Sequence, residues 1–134
     1  MSKQAIFEKL IPLIREVLGV KSADITLNTC LVGDLGAESI DLLDLTFLIE
    51  QDFGISIEAN EFERIAKAQL NDQPYEENGI LTVPALEYLK IALPEIEPSK
   101  FSPGLRKIQI PSLLTVAVYV NLIDRKLASK GTKA

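Results

Sequence analysis

Asp34-Leu35-Gly36-Ala37-Glu38-Ser39-Ile40 sets a serine hydroxyl at the opening of an acidic, amphipathic stretch. A helix start presents backbone N–H groups without intrahelical partners, together with the positive end of the helix dipole. A hydroxyl there is well placed to bear a phosphate-linked group. Gly36 lets the incoming backbone turn sharply, so that the Ser39 side chain can stand clear of the fold. The competing reading of Ser39 is a plain N-cap, a role worth about 1 kcal/mol to a helix.

Other chemistries are poorly supplied. The chain has no histidine, which removes the commonest general base and any Ser-His-Asp triad. No Gly-x-Ser-x-Gly elbow surrounds a serine. Asp34, Glu38 and Asp41 lack the spacing of an EF-hand loop. No catalytic residue and no metal site are therefore expected. Cys30 is the single cysteine, so no internal disulfide can form, and a reducing compartment is expected. No charged neighbour depresses its pKa, which makes it a loop anchor in this reading.

The acids are unevenly placed. Asp34, Glu38, Asp41, Asp44, Glu50, Asp52, Glu58, Glu61 and Glu63 fall in a stretch without Lys or Arg. Such a patch either steers a basic partner or is a solvated face. Net charge is −5, which disfavours nucleic acid and anionic membrane as partners. Residues 1–10 do not read as a signal peptide, and the longest apolar run, Leu113 to Val120, is too short to span a bilayer. A cytoplasmic monomer without membrane insertion is expected.

Around these residues the hydrophobic pattern is helical. Phe7, Leu10, Ile11, Ile14, Val17 and Leu18 predict a helix over 4–18, stopped by Gly19, with a kink or broken turn at Pro12. Residues 20–38 are a long loop in which Ile25, Leu27, Leu31 and Leu35 serve as anchors. Residues 39–53 form a helix with two stripes: Leu42, Leu45, Ile49 and Phe53 toward the core, and Ile40, Leu43 and Phe47 on another side. A short helix over 60–70 uses Phe62, Ile65, Ala66 and Leu70. Asn78-Gly79 is a turn, and a helix over 82–93 is capped by Thr82. Prolines 94, 98 and 103 mark an irregular strap. A last helix covers 112–127, followed by a frayed tail at 128–134. The fold class is all-α, in one domain over 1–134.

Leu18-Gly19-Val20, Ile25-Thr26, Leu31 and then Asp34 to Ile40 together resemble the acyl carrier protein family. That family runs helix, long loop, then a Gly-x-Asp-Ser-Leu attachment motif opening the second helix. Here Glu38 replaces the usual Asp and Ile40 the usual Leu. The resemblance continues through Phe53-Gly54-Ile55-Ser56-Ile57 and resumes at Leu114-Thr115-Val116, covering residues 4–68 and 111–127.

The resemblance implies a four-helix bundle without catalysis of its own. It implies that a phosphopantetheinyl transferase attaches 4′-phosphopantetheine from coenzyme A to Ser39, and that the terminal thiol of the arm holds acyl groups as thioesters. The matching recognition positions are Glu38, Ile40, Asp41, Leu43, Asp44, Phe47 and Glu50. Expected partners are the transferase and enzymes of fatty acid or lipid synthesis, lipopolysaccharide-type pathways included, with basic docking patches. The acyl chain would shelter in an apolar interior between the second and last helices. Alternatives are a carrier for aminoacyl or polyketide cargo, and an unmodified helical interaction module.

Residues 71–110 depart from this pattern. They read as an inserted helix (82–93) and strap before the final helix. The insert either enlarges an acyl pocket, forms a docking surface or caps the last helix. Leu81-Thr82-Val83 also resembles the start of the family's last helix. The longer, more apolar segment 112–127 is the preferred counterpart.

Overall fold

The computed structural model describes residues 1–57 and 61–132. Five α-helices appear in them: α1 (Lys3–Leu18), α2 (Ser39–Phe53), α3 (Glu61–Gln69), α4 (Val83–Ala92) and α5 (Val116–Thr132). Three short 3₁₀ segments lie at Ser22–Asp24, Pro98–Lys100 and Lys107–Leu113. A two-stranded hairpin, β1 (Glu76–Glu77) and β2 (Ile80–Leu81), is the addition to the expected all-helical fold. The chain divides into two compact units, Met1–Ile57 with Leu114–Ala134, and Glu58–Leu113.

In the first unit α1 packs on both α2 and α5. Ser2 caps α1 by accepting from the Ala5 N–H at 3.1 Å, and Gly19 ends the helix in the left-handed conformation at φ 68°. The buried stripe is Ile6, Leu10, Leu13 and Ile14, with Phe7, Ile11, Val17 and Leu18 only half-buried. Full burial of one such side chain contributes about 1.5–3 kcal/mol. The four together outweigh the roughly 3 kcal/mol that an interior proline costs, and the helix runs through Pro12 instead of breaking there. Pro12 and Glu8, four residues before it, are both exposed, so water can satisfy the carbonyl that proline leaves unbonded.

α5 begins at Val116, later than expected, because Lys107–Leu113 is taken up by a 3₁₀ segment around Pro111. Its first free N–H groups are satisfied from the long loop. Val116 donates to the Thr29 carbonyl at 2.9 Å and Ala117 to the Leu27 carbonyl at 2.9 Å, while Cys30 and Thr115 form an isolated antiparallel bridge. The helix also continues to Thr132, so residues 128–132 are helical; 133–134 lie outside the described residues. Ala, Ser and Lys propagate a helix adequately once a long apolar segment has nucleated it.

In the second unit α3 packs on α4. Asn78 and Gly79, both at positive φ (54° and 82°), make the two-residue turn of the hairpin. Residues 105–107 add a third rung: Leu81 N–H donates to Leu105 O and Lys107 N–H to Gly79 O, each at 2.9 Å. Thr82 caps α4 as expected, and Leu86, Leu89 and Leu93 are buried. The strap brings its own anchors, Ile96, Phe101 and Ile110. Lys107 Nζ lies 2.9 Å from Glu63 Oε1 and 3.5 Å from Glu76 Oε1, fastening the strap to α3 and the hairpin. Phe62, expected as a core residue of α3, lies outside the residues whose side chains are described.

Candidate functional site

The long loop delivers the chain to α2 through a series of local bonds. Asp34 N–H donates to Cys30 O at 2.9 Å, and its carboxylate Oδ2 accepts from Cys30 N–H at 2.8 Å. Gly36 N–H donates to Val32 O and Ala37 N–H to Leu31 O, at 3.1 and 3.0 Å. Gly36 sits at φ 74°, where a side chain is strained even though a Cβ there would meet no neighbour. Leu31 and Ala37 are buried and hold this reversal against the core, as Ile25 holds the earlier part. Leu27 is not an anchor: its side chain is exposed, and the loop is fixed at this point by its carbonyl instead.

The residue that caps α2 is Glu38, not Ser39. Glu38 is extended (φ −102°, ψ 170°) and forms a capping box with Asp41, whose Oδ2 accepts from the Glu38 N–H at 2.9 Å. Ser39 is the first helical residue and is exposed. Among the described residues its hydroxyl makes no hydrogen bond. The plain N-cap reading is thereby overturned. The spacing of Glu38 and Asp41, three apart, was the signal in the sequence that could have revealed the box.

The two stripes of α2 separate as expected. Leu45, Ile49 and Phe53 are buried and Leu42 half-buried, whereas Ile40, Leu43 and Phe47 are 62%, 66% and 57% exposed. Glu38 and Asp44 are also exposed. Asp41 and Glu50 are half-buried, and each spends a carboxylate oxygen on the backbone: Glu50 Oε2 accepts from Ile57 N–H at 2.8 Å. Among the described residues Asp34, Glu38, Asp41, Asp44, Glu50 and Asp52 make no ion pair, and of these Asp34, Asp41 and Glu50 accept from backbone N–H groups. Glu58 and the side chain of Glu61 lie outside the described residues, and Glu63 is neutralised by Lys107 within the second unit.

A cleft of about 160 Å³ opens between α1 and α5, lined by Lys3, Gln4, Phe7, Leu27, Ala117, Val120 and Asn121. It is a different place from the expected interior between α2 and the last helix. Cys30 is half-buried in the loop beside Thr115.

An exposed, unbonded hydroxyl on the first turn of a helix fits a covalently attached phosphate ester. Comparison with known proteins agrees on the region. The family model described as "Phosphopantetheine attachment site" matches residues 8–68. The acyl carrier protein of Petrotoga mobilis is 40% identical over 65 residues, covering 48% of this chain and 76% of that protein. Those of Treponema pallidum and Guillardia theta are 42% and 39% identical over 66 and 69 residues, covering 47% and 52% of this chain and 85% of each relative. The chain belongs to the acyl carrier protein family. It is a carrier and not a catalyst, and its cofactor is covalent 4′-phosphopantetheine.

Proposed function

We propose that Ser39 bears the phosphopantetheine arm and that the chain shuttles acyl groups between enzymes of fatty acid or lipid biosynthesis in the cytoplasm. The observation that carries this reading is the state of Ser39: first residue of α2, exposed, its hydroxyl spared from capping by Glu38. The arm supplies a thiol on which cargo is held as a thioester. The chain supplies attachment, reach and docking. Tethering at one flexible point gives the cargo a high effective concentration at any enzyme docked nearby.

Docking falls to α2. Ile40, Leu43 and Phe47 form an exposed apolar strip, with Asp44 supplying unpaired negative charge beside it. A partner with basic residues around a shallow apolar pocket complements it, the transferase first among them. Charge of this kind raises association rate more than it slows release, which suits a shuttle. Asp41 and Glu50 contribute charge from positions already tied to the backbone. In this proposal residues 1–134 act as one carrier domain, elaborated by residues 71–110.

The test is incubation with a phosphopantetheinyl transferase and coenzyme A, read by intact mass, with Ser39→Ala beside it. One added phosphopantetheine in the native chain and none in the variant supports the assignment. Modification that survives in Ser39→Ala rejects it.

A further inference from the structure

Glu38 is a weak choice as a lone cap, since the preferred N-cap residues are Asn, Asp, Ser and Thr, and Ser39 follows it directly. Left to intrinsic preference, α2 would start one residue later. Ser39 would then become the cap, and its hydroxyl would turn toward the helix end to accept from the Leu42 N–H. In the structure that N–H donates instead to the Glu38 carbonyl at 3.1 Å, which fixes the earlier start. What holds this register is the reciprocal pairing of Glu38 with Asp41.

We propose that Glu38 and Asp41 are positioning residues for modification: their capping box locks the helix start and keeps the Ser39 hydroxyl from being consumed as a cap. The inference rests on Ser39 as the attachment residue. In the transfer, the Ser39 Oγ–P bond forms and the pyrophosphate P–O bond of coenzyme A breaks. The hydroxyl proton leaves to the transferase's base, and the adenosine bisphosphate half departs. A hydroxyl already accepting a backbone N–H has one lone pair engaged and points down the helix axis. The slipped register therefore withdraws the nucleophile, while the locked register presents it. On this account Glu38 acts through hydrogen-bonding capacity more than through charge.

Variants that separate these two properties make the test. Glu38→Asn keeps a strong cap and removes the charge; Glu38→Ala removes both. Asp41→Asn keeps an acceptor for the Glu38 N–H; Asp41→Ala does not. We expect Glu38→Ala and Asp41→Ala to lower kcat/KM for transferase-catalysed modification about fivefold, the order set by a lost cap. The Asn variants are expected to recover most of that loss. Asn variants as impaired as the Ala variants would overturn the proposal in favour of direct recognition of charge.

A second readout needs no transferase. Ser39→Ala is expected to leave the melting temperature unchanged in the native background and to lower it by roughly several degrees in the Glu38→Ala background, where Ser39 has become the cap. Equal shifts in both backgrounds would overturn the register argument. Because this cycle reports capping alone, it stands even if intact mass places the arm on another residue.

Discussion

Leu45 and Phe47 stand two residues apart on α2 and meet opposite surroundings, 2% and 57% exposed. The helix therefore serves the core with one face and leaves the other open. Leu45→Ala and Ile49→Ala are expected to cost roughly 2–5 kcal/mol each, as buried aliphatic truncations do. Phe47→Ala and Leu43→Ala are expected to change stability by less than about 0.5 kcal/mol while raising the KM of the transferase. Urea unfolding together with modification kinetics checks both halves. A large stability loss in Phe47→Ala, with unaltered KM, would place that face in the core.

Glu50 closes the far end of the same helix by accepting from Ile57 N–H at 2.8 Å, while Gly54 ends it at φ 66°. Glu50→Ala leaves that N–H without its partner, and an expected loss of about 1 kcal/mol follows. Glu50→Gln keeps an acceptor and is expected to lose less. Chemical denaturation of the two variants decides it: equal losses would mean that the carboxylate acts through its charge.

Much of this organisation was legible in the sequence, for identifiable reasons. α2 is long and carries two apolar stripes at helical spacing, so its core and open faces could both be named from Leu45, Ile49, Phe53 and Ile40, Leu43, Phe47. Thr82 before Pro84, and Asn78-Gly79, are local signals that the structure uses as cap and turn. What was hidden depends on partners distant in sequence or on one residue's backbone conformation. Nothing in its composition marks Leu27 as a residue that works by its carbonyl, since that bond goes to Ala117. The hairpin strands are two residues each, too short to show a period. Ser39 and Glu38 compete for one role, and the outcome turns on Asp41.

The second unit carries its own pH signature. Pairing with Glu63 raises the pKa of Lys107, and burial, reinforced by Glu63 and Glu76, pushes Tyr75 up to about 12. Burial alone takes Tyr119, in the first unit, to about 12. Each of these groups holds its proton more tightly folded than unfolded. For the two tyrosines that contribution is complete below the ordinary value near 10 and is lost as pH rises toward about 12, and for Lys107 it is lost above its ordinary value. The melting temperature is expected to fall through that window, with the Tyr75 and Tyr119 phenolates appearing late in an ultraviolet titration. Assignment by Tyr75→Phe and Tyr119→Phe checks it; ionisation of both at their ordinary value would contradict the burial described.

The most direct test of the central claim is the intact mass of the native chain and of Ser39→Ala after exposure to a phosphopantetheinyl transferase and coenzyme A. The account predicts a single added phosphopantetheine on the native chain and an unmodified variant. A native chain that gains no mass with a transferase active on other carriers, or a variant that gains it equally, would contradict the account.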